Sequence, residues 1–102
     1  MPTFILLTRL LPQALRKPLA FEAVERRVSQ AVVENCPGLE WLSSHALLGP
    51  WDYLDVIRAP DLETATRASL LVRSYGQAHT EIWPAMPWAD FKAMTRALAG
   101  GA

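Results

Sequence analysis

The sequence predicts an α+β domain in the order β-α-β-β-α-β, closed by one further helix. Three observations predict it. Four short segments are rich in β-forming apolar residues. Three longer ones repeat their apolar residues at three- and four-residue spacing. Proline and glycine punctuate the boundaries, at Pro18, Pro37-Gly38, Gly49-Pro50, Pro60, Gly76, Pro84 and Pro87. The chain has 102 residues, the size of one ordinary domain, so residues 1–102 read as a single unit. Apolar residues make up 51% and charged residues 20%, which excludes disorder and low complexity.

The opening run Thr3-Phe4-Ile5-Leu6-Leu7-Thr8 is apolar on both parities, as suits a central strand covered on both faces. Residues 11–18 hold two prolines and Arg16-Lys17 and read as a loop. Phe21, Val24, Val28, Ala31 or Val32, and Cys36 then mark the apolar face of a helix ended by Pro37-Gly38. Residues 39–48 and 51–59 flank Gly49-Pro50 as a hairpin. A two-residue loop puts Leu48 opposite Trp51, Ala46 opposite Tyr53 and Ser44 opposite Asp55 on one face, with His45 and Leu54 on the other. A three-residue loop swaps the parity. Asp61 is placed to cap a second helix bearing Leu62, Ala65, Ser69, Val72 and Tyr75 on one face, with Gly76 to terminate it. Residues 77–85 form the last strand, with Ala78, Thr80 and Ile82 on one parity and His79, Glu81 and Trp83 on the other. Pro87 opens a closing helix along which Trp88, Phe91, Met94 and Leu98 recur.

Two strand–helix–strand units sharing a hairpin give the ferredoxin-like arrangement, one antiparallel four-stranded sheet with two helices on a single face. The other face is then left uncovered. Trp51, Tyr53, Trp83 and several leucines cannot all sit on the helix side, and an apolar face of that size marks an interaction surface. A second copy is the expected cover, giving a two-fold dimer with sheets back to back.

Gly49-Pro50-Trp51-Asp52, followed by the β run Tyr53 to Ala59 and by Pro60-Asp61, resembles the signature of the GYD-domain family. That signature is glycine, any residue, an aromatic, aspartate, a β run, then proline-aspartate at a helix start. Met1-Pro2-Thr3-Phe4 resembles the family's opening strand, and Gly76 to Ile82 its last one. Trp51 stands where tyrosine is usual, and residues 9–19 depart from the polar first loop of the pattern. The resemblance spans nearly the whole chain. It implies a ferredoxin-like domain of the dimeric α/β-barrel type and carries no established activity with it. Folds similar to this one serve small polyketide cyclases, cofactor-free monooxygenases and the effector-binding domains of leucine-responsive regulators.

Composition narrows the function classes. Ten basic and ten acidic residues cancel, with pI near 6.7, so nothing in the charge balance favours nucleic acid. One cysteine, Cys36, excludes an internal disulfide and a cysteine-rich zinc module. No apolar run reaches the ~20 residues of a membrane span, and Met1-Pro2-Thr3-Phe4 lacks a basic region followed by a long apolar stretch, so a secretory signal is not expected. A cytoplasmic domain is expected, without membrane contact. His45, His79, Asp52, Asp55, Glu81 and Cys36 are the possible metal ligands. They do not form the three- or four-ligand spacing that zinc needs, so neither metal nor cofactor is expected.

Asp55 is the least expected residue, a carboxylate in mid-strand between Leu54 and Val56. Tyr53 shares its parity. If His79 and Glu81 share that face, they stand two strand spacings away, roughly 10 Å. Such a gap suits a small substrate, with His79 as general base and Tyr53 or Asp55 orienting it. The structural reading pairs Asp55 with Ser44 instead, or with an arginine across the dimer interface. Asp52, just after the turn, suits backbone N–H groups and with Gly49 and Trp51 reads as a hairpin motif. Cys36, at a helix C-terminus, reads as core. Trp83 and Trp88, with Glu81, are the candidates for binding a flat apolar ligand. The expectation is a homodimeric binding or self-associating module for a small apolar or aromatic molecule. The alternative is a cofactor-free isomerase, cyclase or monooxygenase using His79, Tyr53 and Asp55.

Overall fold

β1 (Thr3–Leu10), α1 (Phe21–Asn35), β2 (Glu40–Ala46), β3 (Tyr53–Arg58), α2 (Leu62–Gly76), β4 (Ala78–Ala85) and α3 (Trp88–Gly100) follow one another along the chain. The computed structural model describes residues 1–12 and 21–100, so most of the loop expected over residues 11–18 lies outside the described residues. The strands form one sheet in the order β2-β3-β1-β4, and every neighbouring pair is antiparallel. This is the ferredoxin-like arrangement. The continuously apolar β1 takes a central place, and Phe4, Leu6 and Leu7 are all buried.

The hairpin follows the register of a two-residue loop. Ser44 stands opposite Asp55, His45 opposite Leu54, and Ala46 opposite Tyr53. The ladder nevertheless stops short of Leu48 and Trp51. Leu47 N donates to Asp52 O at 2.8 Å, and the four residues between form a wider loop. A tight type I′ turn needs positive φ at both central residues, which Pro50 forbids, and Gly49 does not take a positive φ. A shift between Trp41 and Ser43 leaves Leu42 as a bulge in β2.

Small residues seat α2. It buries Thr64, Ala65, Ala68, Ser69 and Gly76, and Ala65 packs with Phe4, Ile57 and Ala59 at the sheet centre. Leu62 and Tyr75, expected in that stripe, are exposed. Asp61 caps the helix, accepting at Oδ1 from Thr64 N at 2.8 Å and Thr64 Oγ1 at 2.7 Å. At the other end the helix runs through Gly76, and Gln77 takes the left-handed conformation, φ 50° and ψ 59°. Gly76 therefore does not serve as the left-handed terminator. It lies close to Val72 and Val28, the two valines facing each other across the helix pair.

α1 buries only Ala31 and Val32, and Val32 packs with Cys36 and Ala68 in a second cluster. Its N-terminal half, from Phe21 to Val28, stays partly exposed. α3 buries nothing. Trp88, Phe91, Met94 and Leu98 all face solvent, with Trp88 and Phe91 stacked at 5.2 Å. The molecule measures 56 × 31 × 17 Å, with a radius of gyration of 16.0 Å, against roughly 13 Å for a compact domain of about 100 residues. An unpacked terminal helix accounts for the difference in shape.

Candidate functional site

Strand alternation sorts the candidate residues onto two faces. Phe4, Leu6 and Thr8 of β1 look toward the helices. Register puts Asp55 and Ile57 of β3 on that face, with Thr80 and Ile82 of β4. Ile5, Leu7 and Arg9 point the other way, with Leu54 and Val56 of β3 and His79, Glu81 and Trp83 of β4. His79 pairs with Arg9, next along β1 from Thr8, the partner of Tyr53. His79 and Glu81 thus do not share the face of Tyr53 and Asp55, and the sheet itself separates them. The arrangement of His79 as base beside a substrate held by Tyr53 or Asp55 is not formed within the chain. His45, opposite Leu54, also belongs to the open face by register, at the sheet's edge.

On the helix side, the raised half of α1 leaves a cleft of about 1180 Å³ between itself and the sheet. Val24, Val28, Val32, Leu39 and Val72 supply apolar wall. Tyr53 and Phe21 stand at one end with ring centroids 5.5 Å apart. Asp55 lies on the floor, 8% exposed. Trp41 Nε1 donates to Asp55 Oδ1 at 3.1 Å and to Ser44 Oγ at 2.9 Å. Burial raises the Asp55 pKa above the ordinary aspartate value, opposed by hydrogen bonds from Ser44 and Trp41. Burial likewise raises the Tyr53 pKa, helped by the carboxylates of Asp52, Glu25 and Asp55 around it. Ser44 stands directly opposite Asp55, as expected, and both accept from the Trp41 indole. Trp41 is the partner that sequence reasoning missed, because the bulge at Leu42 returns Trp41 to the helix face opposite Ile57.

Asp52 does the work of a tie. Its Oδ2 accepts from Leu10 N at 2.8 Å, and its own N donates to Thr8 O at 2.8 Å. The hairpin end is thereby fastened to the end of β1. Trp51, released from the ladder, lies on the open side. Its ring stacks on His79 at 6.0 Å and carries the Arg9 guanidinium at 5.4 Å. This differs from the expected hairpin parity, which put Trp51 with Tyr53. Gly49 sits in the loop with no atom near the place of a side chain.

Of the remaining candidates, Glu81, Trp83 and Trp88 lie away from the cleft and Cys36 borders it. Trp83 Nε1 donates to Glu81 Oε1 at 2.9 Å. Both border a smaller hollow of about 330 Å³ beside Arg73 and Thr80. Trp88 lies on the free helix α3. Cys36 is buried, and that burial raises its pKa, against the pull of Arg67, as suits a packed thiol. Among the described residues, no three histidine, cysteine or acidic side chains converge to hold a metal ion, and no helix is long and apolar enough to cross a membrane.

The glycine–aromatic–aspartate loop, the tie it makes and the proline-aspartate cap that follows β3 all lie within residues 4–95, the stretch that the GYD domain model matches. The chain belongs to the GYD-domain family. A curated relative from Thermus thermophilus is 33% identical over 90 residues, covering 88% of this chain and 94% of the relative. It is called glutamine synthetase and cystathionine beta-lyase binding protein. No solved structure matches this GYD domain.

Proposed function

We propose that this GYD domain is a binding module that works as a cytoplasmic homodimer, holding a small apolar or aromatic molecule in the α1–sheet cleft and docking onto a metabolic enzyme. The observation that carries this reading is the division of the sheet. Among the described residues, Ile5, Leu54 and Val56 stand half-buried and Trp83 exposed on the open face, and α3 offers a second apolar stripe, none of it buried. Aromatic anchors of this kind dominate association energies. A two-fold pairing of sheets, with each α3 laid against the other copy, covers both surfaces at once. The relative named for binding glutamine synthetase and cystathionine beta-lyase supports a role exercised on other proteins. Light scattering tests the dimer. Wild type is expected to have twice the chain mass at tens of micromolar, and Val56→Glu, at the middle of the open face, to be monomeric. A monomeric wild type overturns the pairing. Purified glutamine synthetase and cystathionine beta-lyase from the source organism then test docking, with retention of at least one expected.

The presence of Tyr53 and Asp55 together in the cleft favours a second reading, a cofactor-free isomerase, cyclase or monooxygenase on a small aromatic or apolar substrate. It lacks His79 as an internal base, so its proton acceptor is Asp55, whose raised pKa suits that task.

A further inference from the structure

We infer that the ligand of the α1–sheet cleft is an organic amine, an apolar body carrying one protonated nitrogen that lies between Asp55, Glu25 and the rings of Tyr53, Phe21 and Trp41. This deepens the reading of the cleft as a binding site and rests on it. The walls select the body of the ligand. Val24, Val28, Val32 and Val72 offer hydrocarbon, and a cleft of about 1180 Å³ admits a molecule of drug size. The polar end selects the head group. Among the described residues, no lysine or arginine lines the cleft, and its acidic side chains are Glu25 and Asp55. Its other ionisable lining residues are Tyr53, Cys36 and His45, the last on the edge strand where the cleft borders the open face. Among the described residues, an anionic head group would meet two carboxylates and neither lysine nor arginine. An ammonium group meets the opposite situation.

Asp55 has room for such a donor. A carboxylate accepts about four hydrogen bonds; the Trp41 indole donates one, and Ser44 stands opposite on the neighbouring strand. In the free protein the Trp41 indole and Ser44 offset the burial of Asp55, with a smaller charge effect from His45, and burial still prevails, so a cation arriving at the floor of the cleft restores the charge balance that burial upsets. The aromatic residues add the second element. Phe21 and Tyr53 present tilted rings 5.5 Å apart beside the carboxylates that surround the Tyr53 hydroxyl. Rings and carboxylates converging on one end of an apolar cleft form the usual environment of a bound ammonium.

Three probes of matched shape test this: phenethylamine, phenethyl alcohol and phenylpropionate. Binding is followed by calorimetry and by the Trp41 indole N–H resonance, which reports the floor of the cleft. Phenethylamine is expected to shift that resonance and to bind at least about tenfold more tightly than phenylpropionate, the difference one charge-assisted contact makes. Glu25→Gln, on an exposed side chain, is expected to weaken the amine about threefold, as for a solvent-screened ion pair. Asp55→Asn is expected to weaken it about tenfold. If Asp55→Asn does not fold, Glu25→Gln decides alone. Equal binding of all three probes, or amine binding indifferent to Glu25→Gln and Asp55→Asn, overturns the amine assignment and leaves the cleft a binding site. Failure of every probe to move Trp41 overturns the cleft reading itself. Both substitutions lie on the helix-covered face, so the dimer measured by light scattering is unaffected in either case.

Discussion

α1 and α2 lie on the same sheet face and meet it in opposite ways. α2 presents Ala65, Ala68 and Ser69, all buried, and its backbone comes down close onto Phe4, Ile57 and Thr80. α1 presents Val24, Val28 and Val32, and only the last of these is buried. Small side chains let a helix settle, and the contact then closes without voids. A row of β-branched side chains, anchored at one end by Val32 and Cys36, holds the other end of α1 away from the sheet. The two halves of one layer thus divide the work between stability and binding.

The largest expected effect sharpens that contrast. Ile57→Ala, under the closed half, removes a fully buried side chain and should cost about 3 kcal/mol. Val28→Ala, a similar loss of hydrocarbon over the open half, should cost under about 1 kcal/mol, because no sealed cavity is left behind. Urea unfolding of the two variants measures both. Comparable costs would mean that the cleft is closed in solution. Enlargement gives the converse and a somewhat smaller effect. Ala68→Leu should destabilise by about 2 kcal/mol through overpacking, while Val24→Leu should be tolerated within about 0.5 kcal/mol, extending into open space.

The closed half is legible in the sequence and much of the open half is not. The period of β1, the alternation of β4, the Ser44–Asp55 register and the Asp61 cap all follow from local rules. Asp55 stands out as a site because a mid-strand carboxylate contradicts β propensity. Its neighbours are harder to read. Whether His79 faces Asp55 turns on one residue of register between β1 and β4, which no residue near His79 specifies. Trp41 reaches Asp55 through a bulge at Leu42, and the sequence around Trp41-Leu42-Ser43 carries neither glycine nor proline to announce it. Parity assigns Trp51 to the Tyr53 face, but parity ends where the ladder ends, and Pro50 ends it early. The stand-off of α1 is a tertiary result, since its apolar stripe reads as regular as any packed helix.

The end of α2 offers a test of smaller size with a sign that separates two accounts. If Gly76 were the left-handed residue, Gly76→Ala would be destabilising. Gly76 is instead helical, and an added Cβ would lie 3.7 Å from Val72 Cγ1 and 3.9 Å from Val28 Cγ2, ordinary contact distances. Gly76→Ala should therefore stabilise the protein by about 0.5–1 kcal/mol through helix propensity and the unfolded chain. Gln77→Gly should stabilise by a similar amount, about 0.5–1 kcal/mol, because φ 50° is strained for any residue with a side chain. Thermal unfolding of the two single variants reads both signs.

The smallest effect compares two aspartates, one in each environment. Asp61 has a pKa lowered by its hydrogen bonds from Thr64. Its contribution to stability is present above the unfolded-state pKa, about 3.9, and is lost as pH falls through the lower folded value. Asp55 is the reverse case. Burial raises its folded pKa, so its ionised form opposes folding at neutral pH. That opposition is relieved as pH falls through the folded value toward the unfolded one, where the native carboxyl takes its proton first. Asp55→Asn keeps an oxygen for the Trp41 indole to donate to and removes the buried charge. The variant should exceed wild type in melting temperature by a small margin at pH 7, and the margin should shrink on acidification. Asp61→Ala should fall below wild type at pH 7, and that deficit should also shrink on acidification, from the other side. An Asp55→Asn protein less stable than wild type at neutral pH would mean that the carboxylate is already neutralised in the free protein, by a cation at the floor of the cleft.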